Sequence, residues 1–357
     1  MIPRLYEKTE TAFTSFGIGP LSDAVECYVT EERNGAFFLE MTYPKDGTLA
    51  EEIAIDRIIL APPHDNASQW EPFRIVTVNY GLLENMQIYA EHISYQLNSI
   101  LTAKITGTAT DPTTAWALVS ALSTNPFSFS SDITGTASKD MSTAFPVPIR
   151  EFIGGMKGSI IDTFGGELQW SRYTVNLLSA RGADNGVKIA YTKNLTGLNY
   201  NIDMSDLITG CVAYWISSDG QTYRVSGNRT KNNNYAYFHF VAVDASGDFD
   251  STPLVTELNT YATNYLAGIS GEPSLSLDVS FVPLWQTEEY KDFYALEHVA
   301  LCDTVTVLYP PLNLNLKAKV VRTVYNVLAD RYSEISISSM RKSLADTIVS
   351  LMKGTKK

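Results

Sequence analysis

Two distant stretches of the sequence share one pattern. Arg74-Ile75-Val76 is followed by Tyr80, a break over 81–85 and a β-rich run over 86–94. Lys319-Val320-Val321 is followed by Tyr325, a break of the same length over 326–330 and a β-rich run over 331–339. A further strand pattern precedes each copy, at 53–59 and at 300–305. Because self-similarity along a chain indicates a repeated structural unit, the sequence predicts one β-barrel module present twice.

Strand patterns fill the chain up to about residue 99. Asn34-Gly35 lies between two β-rich runs and predicts a hairpin, because both residues tolerate positive φ. Closing such strands into a barrel would protect their edges. We therefore expect a β-rich α+β multidomain fold with two similar antiparallel β-barrels, a small α+β domain and an α/β insertion. The expected bounds are 1–99 for the first barrel, 100–198 for the α+β domain, 199–235 and 296–340 for the second barrel, 236–295 for the insertion and 341–357 for a C-terminal helix.

Three further helical regions are predicted from capping residues and apolar spacing. Asp111 as N-cap and Pro112 at the first helical position predict a short helix through Leu122. Apolar residues at helical spacing over 147–164 predict a helix that Gly154-Gly155 and Gly158 interrupt. Thr252 and Pro253 likewise predict a helix that ends near Gly268, and the alternating residues of 274–282 predict the strand after it.

The charge, the hydrophobic runs and the cysteines limit the kinds of partner and the cellular environment that the sequence indicates. A formal net charge of −12 argues against a nucleic-acid backbone as the main partner, since such binding needs a basic surface. The N-terminus has no apolar signal-peptide core, and no apolar run approaches the ~20 residues of a membrane helix, so we expect no membrane anchor. The three cysteines are far apart in sequence and odd in number, which predicts buried thiols rather than disulfides or a zinc site: Cys27, Cys211 and Cys302.

The sequence offers no motif of a known active site. The four histidines stand in no metal-ligand spacing, so a satisfied structural role is expected for those on strand patterns, His92 and His298; the other two are His64 and His239. Glu167 and the pair Glu288-Glu289 could be proposed as glycosidase carboxylates, although a cap or turn role is favoured. The segment 181–186 is dense in turn formers and predicts a hairpin turn. We predict no catalytic residue, no metal and no cofactor, and hence no enzyme.

Several stretches, in this order along the chain, resemble the phage tail hub proteins of the prophage tail endopeptidase or tail-associated lysin family, also called phage minor structural proteins. The stretches that carry the resemblance are Phe164-Gly165-Gly166-Glu167, 179–191, Lys193-Asn194-Leu195, 301–307, Lys319-Val320-Val321, Tyr325 and Arg331-Tyr332. Each motif is degenerate by itself, but the correct order extends the resemblance over essentially the whole chain.

The resemblance implies a structural baseplate or tail-tip hub of a phage or prophage tail. Three chains with two barrels each would form a homotrimeric ring of approximate sixfold symmetry, which joins a sixfold tail to threefold tip components. The implied partners are a distal tail protein or tail tube, the tape measure protein and a tip or receptor-binding component, with DNA only in transit. The implied location is the virion tail tip, after synthesis in the bacterial cytoplasm.

Two alternatives stay open. Longer members of the family continue into a region that cleaves peptidoglycan, whereas this chain stops at Lys357, so we expect no endopeptidase activity. A cell-wall-degrading tail endopeptidase is nevertheless one alternative. The other is a host-surface-binding module, which the Tyr and Trp content suggests.

Overall fold

The computed structural model describes residues 1–66, 68–82, 84–135, 137–231, 234–249, 251–269, 271, 273–281, 283–289, 297–312 and 314–339. The predicted C-terminal helix at 341–357 lies outside the described residues. The chain divides into two compact units. The larger unit consists of Met1–Asn199 and Leu277–Lys357, and the smaller unit is Tyr200–Ser276.

The N-terminal part of the larger unit is almost entirely β-structure. Its strands are β1 (Arg4–Tyr6), β2 (Gly19–Pro20), β3 (Glu26–Glu32), β4 (Phe37–Pro44), β5 (Ile58–Ala61), β6 (Glu71–Asn79), β7 (Asn85–His92), β8 (Leu101–Thr102) and β9 (Thr108–Ala109). β3 and β4 pair in antiparallel fashion around Asn34, whose φ of 54° is the left-handed conformation that the hairpin requires. The predicted hairpin is therefore confirmed.

Short helices and strands alternate in the next part of the larger unit. They are α1 (Pro112–Trp116), β10 (Ser128–Ser131), β11 (Lys139–Asp140), β12 (Val147–Pro148), α2 (Ile149–Gly154), α3 (Ile160–Phe164), β13 (Glu167–Ser171), β14 (Thr174–Leu178) and β15 (Lys188–Ala190). Asp111 caps α1 as predicted, because its side chain accepts a hydrogen bond from the Thr114 amide at 2.8 Å. The break between α2 and α3 at Gly155 and Gly158 is also confirmed, whereas α1 ends six residues before the predicted Leu122.

The segment 181–186 does not form the predicted hairpin turn. β14 pairs with β10 and β13, while β15 pairs in parallel with a strand of another sheet, so the segment connects two sheets. Gly182 lies so close to the backbone of Cys302 that a Cβ atom there would come within 2.2 Å of the Cys302 carbonyl carbon. Glycine is needed at position 182 because the backbone there passes close to the backbone of Cys302, and not because the chain reverses.

The smaller unit packs one helix against a four-stranded sheet. Its elements are β17 (Gly210–Ile216), β18 (Tyr223–Val225), β19 (Arg229–Thr230), β20 (Phe240–Asp244) and α4 (Val255–Ala267); β16 (Leu195–Asp203) and β21 (Ser274–Phe281) cross its two boundaries. Leu258, Ala262 and Leu266 recur every fourth residue and bury one face of α4 against Cys211, Ala213 and Trp215 of β17. The predicted N-cap at Thr252 is wrong, since the helix begins after Leu254.

Three strands complete the larger unit: β22 (Thr304–Tyr309), β23 (Leu314–Asn326) and β24 (Arg331–Ser339). The 3₁₀ helices of the described residues are Ala50–Glu52, Ile93–Asn98, Ser246–Asp248, Leu284–Gln286 and Pro310–Leu312. The main sheet runs in the order β16-β21-β24-β23-β3-β4-β7-β6-β5-β1-β2, with β22 on β23 and β15 on β22. The β-rich fold with few helices, expected from the sequence, is confirmed.

The sheet contains the same strand order twice. We name β3-β4-β7-β6-β5 the first module and β16-β21-β24-β23-β22 the second module. Each has a β-bulge at the matching place: the register shifts between Ile75 and Thr77 in one and between Val320 and Arg322 in the other. A bulge inserts one unpaired residue and bends its strand, so both hairpins bend at the repeated sequence.

The strands that accompany β22–β24 differ from those expected. The sequence grouped 199–235 with 296–340, but in the structure β17, β18 and β19 pair with each other and with β20. β21 was assigned to the insertion, and instead it neighbours β24 in the main sheet. Both runs alternate like strands, and local pattern does not reveal which distant strand each one pairs with.

Candidate functional site

A polar cavity of about 490 Å³ lies in the larger unit and brings several titratable side chains together. It is lined by the segments after β5, after β14 and before β22, and by residues of β3, β13, β23 and β24. The lining side chains with acid, base or amide groups are Glu31, His64, Asp65, Asn66, Gln69, Gln169, Arg181, His298 and Asp303. Two of the four histidines singled out in the sequence therefore meet here.

Asp65 organises one wall of the cavity. Its Oδ1 atom lies 3.1 Å from Nε2 of His298, and its Oδ2 atom accepts a hydrogen bond of 3.0 Å from Nε1 of Trp285. Burial raises the pKa of Asp65, but the hydrogen bonds from His298 and Trp285 outweigh it, so that its pKa lies below the usual value. Asp65 is thus an acceptor held as a carboxylate, and 233 residues separate it from His298.

A bidentate ion pair forms another part of the cavity wall. Arg181 donates to both carboxylate oxygens of Glu31, at 2.6 and 3.1 Å, and both side chains are largely buried. Burial alone would lower the pKa of Arg181, but Glu31 raises it above its ordinary value, so the guanidinium stays charged. Both carboxylate oxygens of Glu31 accept a hydrogen bond from Arg181, so we interpret this pair as a structural contact rather than a reactive group.

Glu167, a candidate from the sequence, lies beside this pair and joins three parts of the larger unit. Its carboxylate forms ion pairs with Arg33 of the β3–β4 turn, at 2.9 Å, and with Lys319 of β23, and it accepts a hydrogen bond from the Arg181 amide at 2.8 Å. Burial raises the pKa of Glu167, but Lys319, the Arg181 amide and Arg33 together hold it below its ordinary value. Glu167 is therefore a buried cross-link between the β3–β4 turn and the second module.

The remaining candidates lie apart from the cavity. His92 is buried at the end of β7, stacks on Phe37, accepts a hydrogen bond from the Ser94 amide and lies 3.2 Å from Glu71. His239 stacks on Tyr237 in the smaller unit, and its Nε2 atom is buried without a hydrogen-bond partner. Glu288 and Glu289 are exposed, and all three cysteines are buried free thiols as predicted.

The chemistry available in the cavity is limited to acids, bases and hydrogen bonds. His64 accepts a hydrogen bond from the Asn66 amide, and burial lowers its pKa, so it is a neutral base. The described lining residues include no serine or cysteine that His298 could activate. Among the described residues no group of three or more His, Cys, Asp or Glu is placed to hold a metal ion. In the same part of the chain, no helix is long and apolar enough to cross a membrane.

Comparison with known proteins finds similarity to phage tail proteins. Residues 183–348 match the family model described as prophage endopeptidase tail. No curated protein has a sequence that matches this chain significantly.

Three solved structures illustrate the similarity of fold. The prophage tail protein gp18 from Listeria monocytogenes EGD-e has a TM-score of 0.62 at 14% identity and covers 100% of both chains. The tail protein from Neisseria meningitidis MC58 has a TM-score of 0.59 at 10% identity, over 97% of this chain and 98% of the other. The 43 kDa tail protein of prophage MuSo2 from Shewanella oneidensis has a TM-score of 0.58 at 10% identity, over 95% and 98%.

At such low identity the solved structures establish the fold alone. The family match covers residues 183–348, somewhat less than half of the chain. Both findings agree with the resemblance seen in the sequence: residues 183–348 are similar to the prophage endopeptidase tail family, and the chain has the fold of the three tail proteins.

Proposed function

We propose that this protein is a structural hub at the tip of a phage or prophage tail, where three copies form a ring. The observation that carries the proposal is the repeated module. The two copies share the same strand order and have a β-bulge at the same position. They also share the hydrogen bonds of the turn before the third strand, at Asp56 and at Cys302. Three chains would present six similar modules around one axis, which suits a contact with a sixfold tail on one side and a threefold tip on the other.

The proposed partners follow from this position. On the sixfold side we propose a distal tail protein or the tail tube, and on the threefold side a tip or receptor-binding component. The tape measure protein and DNA would pass through the ring without stable binding, and the net charge of −12 suits a passage from which DNA phosphates are repelled.

The pairing of the polar side chains in the polar cavity favours a structural role over catalysis. Its polar side chains bind one another: Arg181 forms an ion pair with Glu31, and Asp65 lies within hydrogen-bond distance of His298. The description of the family includes an endopeptidase, but the described lining of the cavity that holds His298 includes no serine or cysteine. We therefore propose that the chain acts through its surfaces and has no peptidase activity of its own.

Solution mass measured by light scattering over a concentration series tests the hub proposal. The expected species contains three copies of the 39.5 kDa chain. It forms either from the protein alone or after the tail tube protein is added. Electron micrographs of that species should show threefold averages with six similar peripheral densities. A chain that remains a monomer at all concentrations and with tail proteins added, and that clears purified cell wall, would instead support the endopeptidase alternative.

A further inference from the structure

Arg150 is a partly buried cation that forms no ion pair with a carboxylate of the described residues, although the charge of Glu91 acts on it from beyond contact distance. It lies in α2, where its guanidinium carbon is 4.1 Å from the ring centre of Tyr95 and 5.2 Å from that of Trp170. No carboxylate of the described part of the chain comes within ion-pair distance of it. Burial lowers the pKa of Arg150, which shows that its charge is less favourable here than in water.

The guanidinium keeps unused donors. Nη1 donates to Oγ of Ser94 at 2.9 Å, and Nη2 makes a long hydrogen bond of 3.4 Å to the Gly35 carbonyl. An arginine carries five N–H donors in a planar fork, so three of them have no acceptor among the described residues. The Nε atom makes neither of these hydrogen bonds and is not among the buried atoms without a partner, so this donor is open to solvent.

Arg150 also lines a second cavity, of about 260 Å³, in the larger unit. It is separate from the polar cavity described above, and it is lined by Asn34, Gly35, Tyr95, Arg150, Ile153, Gly154, Leu168 and Trp170. None of these lining residues is acidic. A volume of this size is smaller than the ~300–1,000 Å³ of pockets for drug-sized ligands, but it admits one short side chain.

The two rings and the apolar walls define what can enter. Tyr95 and Trp170 fix the plane of the guanidinium, so that its fork presents a fixed geometry to an incoming group. A planar fork of this kind matches the two oxygens of a carboxylate. The apolar walls formed by Ile153 and Leu168 suit the methylene groups that carry such a carboxylate.

We propose that the Arg150 cavity is a binding site for a single carboxylate, carried on a short aliphatic stem as in a glutamate side chain. The carboxylate comes either from a neighbouring protein in the tail or from a small solute. This proposal is independent of the trimeric hub, because it concerns one cavity of one chain.

The test uses the full chain with ¹⁵N-labelled arginine, titrated with N-acetyl-glutamate N-methylamide. The Nε–H resonance of Arg150 is identified by its loss in Arg150→Gln. We expect this resonance to shift saturably, and about tenfold tighter binding than with the matching glutamine compound, because a charge-assisted hydrogen bond is stronger than a neutral one. Arg150→Lys keeps the charge without the fork, and serves if Arg150→Gln does not fold.

Arg4→Gln is the matched control, since Arg4 also stacks on aromatic rings, Phe16 at 4.8 Å and Trp70 at 5.3 Å. This variant should leave the Arg150 titration unchanged. In one outcome, the resonance is already shifted in self-associated or tail-bound protein and no longer responds to the probe. That result identifies a protein carboxylate as the occupant. A resonance that shifts only when the probe is added identifies a solute. If neither the probe nor assembly moves the resonance, or if the glutamine compound binds equally, the proposal is overturned.

Discussion

Asp56 and Cys302 occupy the same place in the two modules. Their φ angles are 75° and 73°, in the left-handed region, and each donates its amide to the bulged strand, to Ile75 and Val320 respectively, at 2.9 Å. The next residue in each case accepts the return hydrogen bond from that same partner. The left-handed residue thus fixes the register of the strand that follows, in both copies.

This conformation predicts how Asp56 tolerates substitution. Asparagine adopts the left-handed region readily, whereas a β-branched residue is strained there by about 1–2 kcal/mol. Asp56→Val should therefore lower the free energy of unfolding by about that amount more than Asp56→Asn does, as measured by urea denaturation. Both variants lose the ion pair to Arg74, and the hydrogen bond that asparagine could still accept is on the surface, where it contributes little. Equal losses would show that φ at this position is not what fixes the strand.

The cross-link at Glu167 should be among the costly positions of the fold. Its side chain is 3% exposed and faces two cations, Arg33 and Lys319. Removal of one member of a buried ion pair leaves the others uncompensated, so Glu167→Gln should lower the free energy of unfolding by about 3 kcal/mol. Asp184→Asn is the control, because its pair with Lys317 is on the surface and its loss should matter far less. A loss in Glu167→Gln no greater than in the control contradicts the cross-link.

The free energy of unfolding should decrease as the solution is made acidic, over the pH range in which His92 of the unfolded chain takes up a proton. Burial lowers the pKa of His92 below its ordinary value of 6.5, so the folded state holds it neutral while the unfolded chain takes up a proton below that pH. The free energy of unfolding should therefore decrease as pH falls below about 6.5.

The slope of stability against pH between about 6.5 and 5 should be smaller in His92→Gln than in the native protein, in denaturation series at fixed ionic strength. His64, whose pKa is lowered in the same direction, contributes a share that His64→Gln removes. An unchanged slope in His92→Gln would mean that this imidazole is protonated in the folded protein.

The contact between Gly182 and Cys302 predicts a sharp steric requirement. A methyl group at 182 would meet backbone atoms rather than a movable side chain, so Gly182→Ala should destabilise the protein by about 1–3 kcal/mol. At Gly81 no atom of the described residues lies within 4 Å of the position that a methyl group would take, so Gly81→Ala should be neutral or slightly stabilising. Thermal denaturation of the pair measures the difference, and matching transition temperatures would refute the contact.

Local features of the fold could be predicted because their causes are local. Asn34-Gly35, the Asp111 cap and the glycines between α2 and α3 act through their own backbone and their nearest neighbours. The repeat was visible because its bulges and turns constrain sequence in both copies. The partners of β17 and β21 could not be predicted, since alternation marks a strand without naming its neighbour.

The candidate sites were hidden for a related reason. Asp65 and His298 are 233 residues apart, and Arg150 reaches Gly35 across 115 residues. Chemistry assembled from such distant positions leaves no spacing that a motif search can detect. Glu167 was noticed in the sequence as a possible acid, and its three partners became visible only with the fold.

The two modules differ most where one has a tight turn and the other has a whole folded unit. Arg33-Asn34-Gly35 closes β3 onto β4, while the smaller unit stands between β16 and β21. The entropy of closing a loop rises by only about 0.6 kcal/mol for each doubling of its length, so the end of a strand pair accepts an entire domain at little thermodynamic penalty. This turn is therefore a position at which the module can carry an added domain while the sheet beneath it keeps its strand order.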